Sequence, residues 1–225
     1  MSLGKKRTYK MRTRGPIHQI GEERHSRILT AALEVFSKSS FGDASTDEIA
    51  RRAHVSKRDI YAEFPDKHAI LAAVINMVLQ TGDEHFSRVI SDSGHDRAPQ
   101  RERLEVIGLA LMGEILSPLT GSVSRLVSSE CVEQPPIGAT FYENWYARRS
   151  QSIALAFSGR TAQTKARTRR TCDVNLASEH YVALIAYLPQ LTSVAGMHEI
   201  WNRRSVETHV RNAVECFLKA YPALA

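Results

Sequence analysis

Little in this sequence points to cross-linking, to membranes or to covalent chemistry. There are only three cysteines, Cys131, Cys172 and Cys216, far apart and with no C-x-x-C among them. So sparse and odd a set indicates neither a disulfide framework nor a zinc ribbon, and the thiols are expected to be reduced in a cytoplasmic protein. No window approaches the roughly 18 apolar residues of a membrane-spanning helix, and no apolar run follows the basic N-terminus as a signal peptide would require. Neither G-x-S-x-G, G-x-G-x-x-G, a phosphate-binding P-loop nor H-E-x-x-H occurs. The nine histidines are scattered, without metal-ligand spacing near a Cys or carboxylate cluster. An enzyme, a metal and a cofactor are therefore all without support, and none is expected. Proline (8) and glycine (12) are scarce, and there is no convincing alternating run of β-branched residues. The fold class expected is all-α.

What the chain does have is a core and a charge imbalance. Its 225 residues, 43% hydrophobic and 24% charged, suffice to bury one large domain or a small one beside a medium one. Residues 1–27 hold eight cations (Lys5, Lys6, Arg7, Lys10, Arg12, Arg14, Arg24, Arg27) against Glu22 and Glu23. That accounts for the whole net charge of +6, so the rest of the chain is neutral. A basic arm over 1–22, broken by Gly15-Pro16, suits phosphate or minor-groove contact. A solvated tail would look the same.

Helical periodicity then runs nearly to the end. A first helix from about Glu23 to Ser39 carries Ile28, Leu29, Ala32, Leu33 and Phe36 on one face. Lys67, after the N-cap Asp66, opens a helix with Ile70, Leu71, Val74, Ile75, Val78 and Leu79, fading by Ile90 into a loop over 91–99. Helices follow over 101–116, 121–132 and from Pro135-Pro136 through Phe157, with a cationic run at 160–170. A long helix from Asp173 and a last one capped by Ser205 complete about nine.

The most telling stretch is Ser45–Lys67. Two short helical patterns flank a tight turn, and Pro65 stops the second. Ser45 with Glu48 has the form of a capping box, and Ser56 with Asp59 is a weaker version. Ile49, Ala50 and Ala53 face inward on the first, Ile60 and Phe64 on the second, with Val55 between. Lys57, Arg58, Tyr61 and Ala62 are left on the outer face. Cations, a phenol and a small residue on a short helix suit the major groove of DNA.

Residues 24–78 closely resemble the DNA-binding domain of the TetR/AcrR family of transcriptional regulators. The likeness rests on I-L-T-A-A-L-E-V-F (28–36), Phe41-Gly42, Ile49-Ala50, A-H-V-S-K (53–57), Ile60-Tyr61, Phe64-Pro65-Asp66-Lys67 and Ala69-Ile70-Leu71. The C-terminal part, with R-L-V-S-S-E-C followed by F-Y-E-N-W, is similar to the AefR-type branch. The resemblance implies a three-helix helix-turn-helix domain over 23–68 and a helical effector-binding and dimerisation domain over 69–225. Three residues depart from the family pattern. His54 stands where Gly is usual in a turn that often needs left-handed backbone. Thr46 replaces an apolar residue, and Glu63 brings a negative charge near the DNA face.

By the same resemblance Ser45, Thr46, Ser56, Tyr61 and Lys67 are candidates to grip the DNA backbone. Lys57 and Arg58 would reach base edges, with Ala62 beside them. Met112, Glu130, Phe141, Tyr142, Trp145, His180 and Tyr181 are candidate lining for a small hydrophobic or amphipathic effector, although each fits the core equally well. Leu184, Leu188, Val210, Val214 and Phe217 are candidates for a homodimer interface. The function implied is a repressor that binds a palindromic operator in double-stranded DNA and is released by its effector. An activator, or an architectural DNA-binding protein without an effector, would share most of these features. The second would have a filled rather than hollow C-terminal domain.

Overall fold

The computed structural model describes residues 16–95, 99–164 and 173–224. The basic arm up to residue 15 and the side chains of the whole cationic run at 160–170 lie outside the described residues. Ten α-helical segments occur: α1 (Pro16–Lys38), α2 (Thr46–Ala53), α3 (Lys57–Glu63), α4 (Lys67–His95), α5 (Gln100–Ile115), α6 (Pro118–Glu130), α7 (Pro135–Phe141), α8 (Arg148–Thr164), α9 (Val174–Val194) and α10 (Arg203–Ala220). A π-helical turn, Tyr142–Ala147, joins α7 and α8 into one unbroken rod, so the described residues form nine rods, as expected. No strand occurs among them.

Several boundaries move. Pro16 does not break the first helix but begins it, seven residues before the expected Glu23. That is consistent with proline's fixed φ and missing N–H, which cost nothing in a first turn. Pro118 likewise sits at the start of α6, and the helix reaches back past the expected Gly121. On α4 the apolar pattern weakens after Phe86, yet the helix continues to His95. The last helix is capped by Asn202, whose side chain accepts from the Ser205 N–H, while Ser205 returns the bond as the third residue of a capping box. Both residues are good caps, and Asn202 wins by lying one turn earlier.

A single apolar core runs from Ile28 on α1 through Ile70–Leu79 on α4 to Phe217 on α10. Helices α5, α9 and α10 approach closely at Gly108. A Cβ there would fall 2.8 Å from Val210 Cγ1 and 3.0 Å from the Tyr181 hydroxyl, so only glycine fits without a shift. Pro189 lies inside α9 and cannot donate to the Ile185 carbonyl four residues back. His209 on α10 fills the vacancy, its Nε2–H donating to Ile185 O at 3.0 Å. A lost bond within one helix thus becomes a bond between two. No single helix among the described residues is long and apolar enough to cross a membrane.

Candidate nucleic-acid interface

Helix α2 begins as the sequence suggests, but its cap differs in detail. The Ser45 hydroxyl accepts from the Asp47 N–H at 3.1 Å. Glu48 does not close the box. Its carboxylate takes Arg51 and Arg52, and those hydrogen bonds hold its pKa down to about 2. A charged acceptor three or four residues from two arginines prefers them to a neutral N–H. On α3 the weaker motif makes the complete box. Ser56 Oγ accepts from the Asp59 N–H at 3.1 Å, and Asp59 accepts from the Ser56 N–H at 3.0 Å. These Ser56 bonds keep the Asp59 carboxyl below its ordinary value, so the box is intact at neutral pH and opens only on acidification.

The turn between them depends on His54, at φ 54° and ψ 47° the one described non-glycine residue with positive φ. Its N–H and that of Val55 return to carbonyls at the end of α2, satisfying groups the helix would otherwise leave unpaired. The left-handed backbone expected here is present, carried by a residue that strains more than glycine. Ile49, Ala53, Ile60 and Phe64 are buried and fix α3 on α2.

The outer face of α3 carries what the sequence suggests. Lys57, Arg58, Tyr61 and Ala62 are exposed. Tyr61 OH lies 3.4 Å from Thr46 Oγ1, so Thr46 belongs to this polar surface and not to the core. Lys57 Nζ pairs with Asp47 at 3.0 Å, which raises the lysine pKa. Arg58 has no ion pair among the described residues. Glu63, expected near the DNA face, turns inward: its carboxylate takes His25, and Arg24 approaches at 3.8 Å. His25 also stacks on Phe64, with centroids 5.5 Å apart. This bracing of α3 by the start of α1 has no sequence signal, because the partners are 38 residues apart.

Lys67 is placed differently from a phosphate contact. Its ammonium donates to the carbonyls of Phe41, Gly42 and Ala44 at 2.6, 3.2 and 3.0 Å, and sits 4.5 Å from the Phe41 ring centroid. Three donors meet three acceptors, so none is left for DNA. Lys67→Met is expected to cost about 1–3 kcal/mol of stability, the cost of stranding these carbonyls. The salt dependence of DNA binding should stay the same. A slope shallower by about one would instead restore Lys67 as a phosphate contact.

The residues expected to line one effector site are not brought together. Met112 and Tyr181 are fully buried core, and Tyr181 donates to the Leu104 carbonyl at 2.5 Å. Trp145 is buried against Phe141, whereas Tyr142 is exposed and stacks on Tyr146. Glu130 faces His68 at 4.0 Å, and His180 faces the Tyr221 hydroxyl. Large aromatic groups at helical spacing fill space between helices more often than they line it. A cleft of about 480 Å³ opens elsewhere, between α1, α4, α5 and α6. Leu33, Met77, Val78, Leu109 and Leu119 supply its apolar wall, Thr81, His85 and Glu114 its polar groups. Helical periodicity alone could not separate this wall from the core.

The expected dimer residues also divide. Val210, Val214 and Phe217 are buried within the subunit and are unavailable to a partner. Leu184 and Leu188 are exposed, and Tyr187 and Leu191 extend their row. Among the described residues no three His, Cys, Asp or Glu side chains gather to hold a metal ion.

Comparison with known proteins agrees with this geometry. The AefR-like transcriptional repressor C-terminal domain matches residues 102–223, more than half of the chain. The tetR family of bacterial regulatory proteins matches residues 28–74, which contain α2 and α3. The chain belongs to the TetR family. Its N-terminal match is to the family's regulatory-protein domain, and its C-terminal part is AefR-like. It is 44% identical over 106 residues to the HTH-type transcriptional regulator SrpR of Pseudomonas putida, covering 47% of this chain and 46% of that protein. It is 30% identical over 81 residues to EthR of Mycolicibacterium smegmatis, 36% of each. Less than half of either relative is spanned. A solved TetR-family structure from Mesorhizobium loti MAFF303099 superposes with a TM-score of 0.80 at 21% identity, over 88% of this chain and 96% of that one, and shows the shared fold.

Proposed function

We propose that this TetR-family protein is a cytoplasmic repressor that binds a palindromic operator as a homodimer and leaves it when a small amphipathic molecule binds. The observation that carries the DNA half is the outer face of α3. Lys57, Arg58, Tyr61 and Ala62 project together from a helix fixed at its start by a complete capping box and at its side by buried Ile60. Ser45, Thr46 and Tyr61 grip phosphates through hydroxyls, and the first free amides of α3 add to them, whereas the Ser56 hydroxyl is donated to Asp59 and holds the cap instead. Lys57 must share its charge with Asp47, so Arg58 carries most of the base discrimination, with guanine O6 and N7 as its natural acceptors. The small Ala62 lets α3 approach the groove closely. Two such helices about 34–36 Å apart would read successive major grooves.

The effector half rests on the cleft between α1, α4, α5 and α6. Leu33 belongs to the helix that braces α2 and α3, and Met77 and Val78 to the helix that leads out of them. A ligand wedged there acts on the placement of the DNA-reading head, and coupling of about 1–3 kcal/mol is ordinary for such linkage.

Selection of bound DNA from a random pool tests the reading directly. A two-fold symmetric motif supports it, and a pool without one removes the operator claim. Against the recovered site, Arg58→Ala should lose about 1–3 kcal/mol and relax preference at one position per half-site. Equal weakening on all sequences would make Arg58 a phosphate contact.

A further inference from the structure

A second recess lies away from both the α3 face and the effector cleft, between the π-helical turn and the start of α9. It measures about 400 Å³ and is lined by Tyr142, Tyr146, Ser150, Asn175, Ser178 and Glu179, together with Ala147 and Gln151. The π-turn builds one wall. Bonding from i to i+5 widens the turn. Tyr142 and Tyr146 lie four apart on it and stack, with centroids 5.6 Å apart and planes at 17°. Such insertions are energetically poor and recur at functional sites. The Tyr146 hydroxyl donates to the Glu179 carbonyl at 3.1 Å and ties the rod to α9.

Two features of the recess point to a ligand. First, among the described residues of the lining the charge is of one sign: Glu179 is the only carboxylate and no cation stands among them, and it is set beside two phenol rings whose faces are electron-rich. The two cations between the lining residues Ala147 and Ser150 in sequence turn away, Arg148 toward Asp83 at 3.5 Å and Arg149 into the interior against Glu114. His180, next in sequence to Glu179, faces Tyr221. Second, Ser150 lines the recess at 6% exposure, and its hydroxyl has no hydrogen-bond partner. A buried hydroxyl without a partner is costly, which a ligand donor would relieve.

We propose that this recess binds a small organic cation carrying at least one N–H, stacked on Tyr142, with its charge toward Glu179 and its N–H donated to Ser150 Oγ. A protonated amine with a flat body meets all three demands. A quaternary ammonium lacks the donor, and a carboxylate would meet Glu179 head on. The site remains open in a dimer built on α9. At about 100° per residue, Asn175, Ser178 and Glu179 lie on the side of that helix opposite Leu184, Tyr187 and Leu191.

Benzylammonium, benzyltrimethylammonium, benzyl alcohol and benzoate, titrated calorimetrically into the full chain, test the assignment. Saturable binding of benzylammonium is expected, at least tenfold tighter than that of the other three. Glu179→Gln and Tyr142→Ala, both at exposed positions, should each weaken it at least tenfold with unchanged circular dichroism. Ser150→Ala should bring benzylammonium down to the level of benzyltrimethylammonium. No saturable binding, equal affinity for benzyl alcohol, or unchanged affinity in the Glu179→Gln variant would each overturn the proposal. None of these outcomes depends on operator binding.

Discussion

Replacing Arg149 with alanine should destabilise the protein by about 3–5 kcal/mol, a large part of the total stability of a typical domain. Arg149 has no exposed surface, yet it carries a charge. Its Nε and Nη2 donate to the two oxygens of Glu114 at 2.9 and 2.6 Å, its Nη1 donates to Asp83, and the Phe86 ring lies 5.1 Å from its central carbon. Three helices meet there: Asp83 is on α4, Glu114 on α5 and Arg149 on α8. Gly82 is part of the same arrangement, because a Cβ at that position would stand 2.6 Å from a Glu114 oxygen.

Removing the guanidinium leaves Glu114, with only 8% of its side chain exposed, as an unpaired buried carboxylate. That penalty dominates, and the attraction lost is secondary. The double variant Arg149→Met with Glu114→Leu should therefore be more stable than Arg149→Ala alone. Asp83, at 25% side-chain exposure, can still turn to water and to Arg148. Urea unfolding of wild type, single and double variants checks the order. A loss under about 1 kcal/mol for Arg149→Ala would mean that water reaches Glu114 and the ions do not hold these helices.

The contrast between Arg149 and Arg58 illustrates what a sequence can reveal. Arg58 lies in a segment where caps, apolar spacing and turn all have local causes, so its exposure on α3 follows from residues within one turn of it. His54 shows the same locality: the demand for left-handed backbone was apparent although the residue meeting it was not glycine. Arg149 sits among polar neighbours in R-R-S-Q-S, and its burial depends on Glu114 and Asp83, 35 and 66 positions away. The Ser45–Glu48 box failed for a local reason that could have been weighed, since two arginines compete for the same carboxylate. Val210, Val214 and Phe217 mark a stripe that must be buried, but periodicity does not say whether the burying surface is the same subunit or a second one. Burial decided that question for α10 and left the α9 stripe as the interface candidate. The effector residues failed in the same way, since an aromatic side chain has identical spacing whether it fills a core or lines a cleft.

Tyr187→Glu combined with Leu191→Glu should convert the protein to a monomer and lower operator affinity by roughly 10²–10⁴-fold, the loss of the second, tethered half-site. Leu184, Tyr187, Leu188 and Leu191 are 40, 73, 45 and 54% exposed and fall at i, i+3, i+4 and i+7 of α9, one continuous row. A row of this length left in water is the mark of a surface that is covered. The outer positions of α10, Thr208, Arg211, Asn212 and Glu215, are polar and do not extend the apolar row. Two-fold symmetry requires the row to meet its own copy, so each added glutamate faces like charge from the partner as well as losing apolar area. Sedimentation equilibrium measures the first effect and operator titration the second. Phe217→Ala serves as the contrast. At full burial it should cost about 3–5 kcal/mol of folding stability while leaving the surviving folded fraction dimeric. If the doubly charged variant stays dimeric, the contact between copies does not use the α9 row. If it becomes monomeric without losing operator affinity, a single α3 suffices for binding and the palindromic reading fails.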